Sequence, residues 1–260
     1  MERKLKASEL KRMARQALAG KYGISAGMQI VLALLALLAG IGLFIPLFFI
    51  VMGAEMGIGG EGIILGGLAA FFLLALIAAA LGFIIMAGMI RFFYHICTGQ
   101  KFGMGDLLYG FKNRWWRFLG LGALYELIGL IFGVPGTILQ SVSALYPWAT
   151  WLYGAQIMFQ VLSAAVSLVI SLFFGQTIYI LVEDREKKVF SSLAESVRLM
   201  KGNKWRYFYL SLSFIGIALL AVCSFGIGFL WVYPYIYCTY IFFYLDIKRT
   251  CASGAQETER

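Results

Sequence analysis

Charge is scarce in this chain. Only 13% of its 260 residues are Asp, Glu, Lys or Arg, where a soluble domain carries about 25%. That leaves too little polar surface to coat a water-soluble fold, and the class implied is an integral membrane protein. Acidic residues are scarcer still, 13 against 22 Lys and Arg, for a formal net charge of +9. Such a balance fits nucleic acid when it covers one face of a soluble fold. Here the cations cluster between apolar runs, so nucleic acid is excluded as a partner and membrane sidedness explains them. A single histidine, His95, rules out a histidine-based metal site. The four cysteines (Cys97, Cys223, Cys238, Cys251) form no C-x-x-C pair, so neither a zinc site nor a disulfide framework is indicated. There is no H-E-x-x-H, G-x-S-x-G, P-loop or carboxylate pair. No cofactor is implied, and an enzyme is not expected. The first 26 residues lack the form of a secretory signal, because the basic stretch Arg3–Lys21 and the apolar run after it are both too long. Met1-Glu2 excludes N-myristoylation.

Long apolar runs are what the chain has in quantity. They cover 27–52, 62–90, 118–139, 155–182, 207–223 and 229–245. A hydrocarbon core of about 30 Å takes roughly 20 helical residues to cross, so these are six candidate spans. They are continuous rather than alternating, which favours helices over barrel strands. The second and fourth exceed the required length and must tilt or extend beyond the bilayer. In a six-span arrangement all 22 Lys and Arg fall on one side: seven up to Lys21, five in 91–117, seven in 183–206 and three from Lys248. The other side carries Glu55 and Glu61 and no cation. The positive-inside tendency then puts both termini in the cytoplasm of a multi-pass protein.

Three of the cationic clusters share a form. "AGKYGISAGM" at 19–28, "KNRWWRFLGL" at 112–121 and "KGNKWRYFYL" at 201–210 each place Lys or Arg beside Trp or Tyr before an apolar run. Aromatic rings at headgroup depth, with cations reaching phosphate and water, make interfacial anchors. Tyr22, Arg114, Trp115, Trp116, Lys204, Trp205 and Arg206 are the anchor candidates, with Tyr146, Trp148, Trp151 and Tyr153 as the opposite belt. A specific lipid-headgroup site is the sharper alternative. Tyr22, Trp115 and Trp205 are 93 and 90 residues apart, which suggests a parallel internal repeat. Each copy reads as amphipathic segment, basic–aromatic entrance, outward helix, glycine-rich stretch with proline ("GIGLFIP", "FGVPG", "FGIGFLWVYP"), inward helix. In the first segment Leu10, Met13, Ala14, Ala17 and Leu18 share a face. In the last, Ser192 and Glu195 fit a capping box, Leu193, Ala194, Val197 and Met200 form the apolar stripe, and Gly202 suits the stop. These segments are expected to lie in the cytoplasmic interface or to pack on the protein.

The expected fold is therefore an all-α integral membrane protein with six transmembrane helices, arranged as three helical hairpin repeats with cytoplasmic amphipathic interfacial helices. A single transmembrane domain covers 1–250, with repeat units roughly at 6–95, 104–185 and 190–247. Residues 251–260 are expected to be a disordered cytoplasmic tail.

The elements Met200-Lys201-Gly202, Lys204-Trp205, Leu212-Ser213-Phe214-Ile215-Gly216, Gly226-Ile227-Gly228, Leu230-Trp231 and Pro234-Tyr235 resemble a bacterial integral-membrane family known as domain of unknown function 975. The resemblance covers nearly the whole chain and is strongest in the last 60 residues. Residues 140–154 are longer and more aromatic than that family's pattern. The chain is also distantly similar to membrane domains attached to some glycerophosphodiester phosphodiesterases. The resemblance implies a six-helix protein of the bacterial plasma membrane and no particular reaction.

Polar residues inside the spans are few. Glu126 is the one carboxylate, expected to point inward and hydrogen-bond to a neighbouring span. Gln156, Gln160, Ser163, Ser167 and Ser171 are spaced 4, 3, 4 and 4 on one helical face. They either bond between helices or wall a hydrophilic path. Gly62/Gly66 and Gly129/Gly133 are small-x-x-x-small pairs that allow close helix approach. Two functions fit: a non-enzymatic scaffold or accessory component binding lipid or membrane partners, and a small permease or export-related transporter with a polar path near Glu126. The partners expected are membrane lipids, with anionic headgroups at the cytoplasmic face, and a protein partner or second copy of the chain.

Overall fold

The computed structural model describes residues 3–55, 61–146 and 148–258. Among them every element is helical: α1 (Ala7–Leu18), α2 (Tyr22–Glu55), α3 (Glu61–Thr98), a 3-10 turn (Met104–Leu108), α4 (Tyr109–Lys112), α5 (Trp116–Leu145), α6 (Thr150–Phe174), α7 (Thr177–Glu183), α8 (Val189–Met200), α9 (Lys204–Leu212), α10 (Ile215–Cys223) and α11 (Phe229–Thr258). Among the described residues five stretches are long and apolar enough to cross a membrane: Tyr22–Gly53, Leu65–Thr98, Trp116–Leu145, Thr150–Glu183 and Lys204–Cys223. The sixth expected span, 229–245, lies inside α11. Its five tyrosines (Tyr233, Tyr235, Tyr237, Tyr240, Tyr244) lower its hydropathy, and Val232, Cys238, Ile241, Phe243 and Tyr244 are buried in protein.

The chain divides into two compact units, each assembled from separate stretches: 10–113 with 214–241, and 1–9 with 114–213 and 242–260. The divisions do not follow the boundaries of the expected repeats. In the first unit α2 and α3 pack together. α2 has 34 residues and α3 has 38, or about 51 and 57 Å at 1.5 Å per residue, far more than a bilayer core needs. The excess of α3 is packed in protein: Ile84, Ala87, Ile90, Phe92, Phe93 and Ile96 are all buried. Its other half, with Leu65, Phe72, Leu73 and Leu76, is exposed. The segment 104–112 lies directly on the buried half. A Cβ on Gly88 would fall 2.2 Å from the Leu107 carbonyl oxygen, and one on Gly110 would fall 2.3 Å from that of Ile84. Only glycine lets these backbones meet. Here, rather than at Gly62/Gly66, small residues allow close approach, since a Cβ on either of those glycines would meet nothing within 4 Å. His95 Nδ1 lies 3.2 Å from Asp106 Oδ2 and fixes the 3-10 turn.

In the second unit α5 and α6 pack together, and α7 continues from α6 after a break at Gly175-Gln176. The buried Arg117 guanidinium donates to the carbonyls of Leu181, Asp184 and Arg185 at 3.3, 2.7 and 2.6 Å. These close the C-terminal end of α7, where a cation also meets the helix dipole. Tyr179 stacks on Tyr244 with centroids 5.8 Å apart, and the Tyr244 hydroxyl donates to Glu183.

Several local expectations change. The capping box at Ser192/Glu195 is not formed. α8 starts four residues earlier, with Lys188 at the cap position; Ser192 lies inside it bonding back to the Lys188 carbonyl at 3.0 Å, and Glu195 pairs with Lys187. Its buried face is Ser192, Leu193, Ser196, Leu199 and Met200, with Ala194 exposed. The Ser196 hydroxyl donates to the Phe173 carbonyl at 2.8 Å, so this face packs partly by hydrogen bonds that hydrophobicity does not reveal. Gly202 ends the helix with φ +76°. α1 buries Leu10, Ala14 and Leu18 at four-residue spacing. Pro46, Pro135 and Pro234 lie inside α2, α5 and α11 rather than between helices. α11 runs through 251–258, the stretch expected to be a tail; no proline interrupts it, and Thr250 and Ser253 bond back to carbonyls one turn earlier. Glu55 ends α2 and Glu61 begins α3; their side chains lie outside the described residues.

Candidate functional site

The polar face of α6 opens onto a cavity of about 550 Å³ shared with α5. Gln156, Gln160, Ser163, Ser167 and Ser171 all line it. From α5 come Tyr125, Gly129, Phe132, Gly133, Gly136 and Gln140. The two helices are joined at both ends of this groove. At one end the buried Ser143 hydroxyl lies 3.2 Å from Gln156 Oε1. At the other the Tyr125 hydroxyl donates to the Phe174 carbonyl at 3.2 Å. Tyr125 and Ser143 are 18 positions apart on α5, or about 27 Å, close to the thickness of a hydrocarbon core.

Glycine holds the middle open. An added Cβ at Gly129 or Gly133 would meet nothing within 4 Å, whereas at Gly136 it would meet the Phe159 ring at 3.2 Å. The Gly129/Gly133 pair therefore widens a groove rather than seating a helix. The polar line of α6 is mostly left without a protein partner: Ser171 bonds back to the Leu168 carbonyl, while Ser163 Oγ is buried with no hydrogen-bond partner among the described residues. Past Gly175 the fully buried Gln176 and Thr177 side chains are in the same condition. Unpaired polar atoms away from water are costly. A groove of this size, apolar and aromatic with a few convergent polar groups, has the make-up of a small-ligand site.

Glu126 is not part of it. The side chain is exposed on α5, outside the cavity lining. The expectation that it points inward is corrected here: Tyr125 takes the inward position, and Glu126, 100° further round the helix, faces out.

The anchor candidates part into two groups. Trp115 and Trp116, edge-on at 6.2 Å, and Trp205, edge-on to Phe208, are exposed. The cations among them are engaged with protein. Arg114 pairs with Glu186 at 2.8 Å, Lys204 lies 3.5 Å over the Phe173 ring, and Arg206 pairs with the buried Asp246 at 2.6 Å. Tyr22 is half-buried at the start of α2. Arg117 and Asp246 were not singled out by sequence, because a charge near an apolar run reads as an interface residue whether it meets water or a buried partner.

Taken together, membrane-length apolar helices, helical structure throughout the described residues and a neutral polar groove between two of those helices define a helical membrane protein. The chain belongs to the family described as proteins of unknown function (DUF975), whose model matches residues 1–250. No curated protein and no solved structure matches it, and the likeness to glycerophosphodiester phosphodiesterase membrane domains finds no support in these comparisons.

Proposed function

We propose that this chain is a non-enzymatic, multi-pass component of the bacterial plasma membrane, a scaffold or accessory protein that holds a lipid or a membrane partner in the groove between α5 and α6. One observation carries the reading: the polar line of α6 faces α5 across a groove that Gly129 and Gly133 leave open, and of the five residues Gln156 is bonded across it. Neutral amides and hydroxyls without a charge suit an uncharged hydrogen-bonding occupant. The same reading takes 229–245 as a sixth span and places both termini in the cytoplasm. It also takes the three hairpins as repeats, each preceded by a short helix: α1, α4 and α8.

The purified chain in mild detergent is expected to carry bound lipid by native mass spectrometry. Gly133→Phe, which fills the groove, should strip it. Leu130→Phe, on the exposed face of α5, should not. Equal lipid content in wild type and Gly133→Phe would contradict the reading. The length of the groove, about 27 Å, favours a second reading, a small permease using the same polar line. Solute uptake into liposomes that is abolished by Gly133→Phe would select it. Glu126, outside the groove, plays no part in either.

A further inference from the structure

A second cavity, of about 500 Å³, is lined by Arg15, Tyr22, Ile217, Trp231, Val232 and Tyr235. All six belong to the unit formed by 10–113 and 214–241. Gly20, at φ +74°, turns the chain from α1 into α2. That turn brings the last turn of α1 beside Tyr22, the first residue of a membrane-length helix. The cavity therefore lies at the end of such a helix, where headgroups lie.

The lining is divided chemically. Arg15, Tyr22 and Tyr235 supply a guanidinium and two phenols to the same lining. Ile217, Trp231 and Val232 supply an apolar wall, with Ile217 and Trp231 exposed. Lys11, one turn before Arg15 on the same face of α1, reaches over the Phe214 ring at 4.4 Å. Burial, and after it the neighbouring Arg15 charge, lowers the Lys11 pKa. Arg15 itself makes no salt bridge or hydrogen bond among the described residues. Three aromatic rings alone would also suit a quaternary ammonium, but two cations oppose one. A guanidinium with phenolic donors suits phosphate oxygens, and the apolar wall suits a hydrocarbon chain.

We infer that this cavity is a binding site for an anionic glycerophospholipid, its phosphate held by Arg15, Tyr22 and Tyr235 and its acyl chain laid along Ile217, Trp231 and Val232. This site is separate from the α5–α6 groove and stands without it.

The test reconstitutes the full chain in nanodiscs of phosphatidylcholine with a smaller share of phosphatidylglycerol, then measures retained lipid by native mass spectrometry. The wild type is expected to enrich phosphatidylglycerol. Arg15→Gln should lower that enrichment about tenfold, the worth of a charge-assisted contact, and Tyr235→Phe should lower it less. Arg12→Gln, an equal charge change on an exposed residue outside the lining, should leave it intact. No enrichment in the wild type, or equal losses from Arg12→Gln and Arg15→Gln, would overturn the site in favour of diffuse surface charge. Displacement of the lipid by glycerol 3-phosphate would overturn the lipid assignment in favour of a soluble phosphate ester.

Discussion

The Arg206 guanidinium donates to the Asp246 carboxylate at 2.6 Å, and the Asp246 side chain is fully buried. The same guanidinium donates to the Leu5 carbonyl at 2.6 Å and to Asn203 Oδ1 at 3.0 Å, while the Leu5 amide donates back to Asp246 at 3.3 Å. One ion pair therefore ties together the N-terminal segment, the start of α9 and the last part of α11. Arg206 is a structural clasp where the sequence suggests an interfacial anchor.

Deleting Asp246 leaves the half-buried Arg206 with the Leu5 carbonyl and Asn203 as its remaining acceptors, and a lost hydrogen bond to a charged group is worth about 1.5–3 kcal/mol. Asp246→Ala should lower the thermal midpoint of the detergent-purified chain and free residues 3–6 for trypsin. Asp246→Asn, which keeps one acceptor oxygen for the Leu5 amide, should free them less. Unchanged proteolysis at Lys4 and Lys6 in Asp246→Ala would show that the clasp does not hold the N-terminal segment.

Glycines divide by what surrounds them. At Gly88 and Gly110 a Cβ would strike a backbone carbonyl at 2.2–2.3 Å, so Gly88→Ala and Gly110→Ala should each separate the 104–112 segment from α3 and destabilise the chain strongly. At Gly133 the space is open, and alanine favours a helix interior by about 1 kcal/mol, so Gly133→Ala should be neutral or mildly stabilising. Denaturation midpoints of the three variants in one detergent decide the matter; a loss at Gly133→Ala comparable to that at Gly88→Ala would contradict the open groove.

The helical class and the α6 polar line were legible in sequence because they are periodic along one element. The line Gln156–Ser171 is visible from spacing alone, and all five residues share one cavity. What faces that line was not legible. Gly129/Gly133 has one sequence signature for two opposite uses, close packing or open space, and only the neighbouring helix decides between them. Arg117 and Asp246 failed for a similar reason: each is a charge beside an apolar run, and burial depends on partners 64–68 and 40 positions away. The excess length of α3 was legible as a misfit to the bilayer, but its packing was not, since Phe92 and Phe93 are as apolar as any lipid-facing residue.

Sidedness can be read with cysteines. Cys223 is exposed and ends α10, beside the cation-free turn, whereas Cys251 lies on the last part of α11 beyond Lys248 and Arg249. With each as the sole cysteine, an impermeant maleimide added to intact cells should label Cys223 and reach Cys251 only after permeabilisation. The reverse pattern would invert the topology.

Glu126 calls for a prediction opposite to the one its position in the sequence suggests. An inward carboxylate would support the bundle through a hydrogen bond, and replacing it with leucine would be costly. In the structure it is exposed on α5, ten positions or about 15 Å beyond Trp116, while the inward hydrogen bond belongs to Tyr125. An exposed side chain with no internal contact changes stability by less than about 0.5 kcal/mol when replaced, and an apolar one is better matched to hydrocarbon than a carboxylate. Glu126→Leu should therefore not lower the thermal midpoint, and should leave the bound-lipid signal unchanged. Tyr125→Phe, which deletes the bond to the Phe174 carbonyl, should lower the midpoint, with about 1 kcal/mol at stake. If Glu126→Leu proves the more destabilising of the two, α5 is rotated relative to this structure and the carboxylate faces the groove.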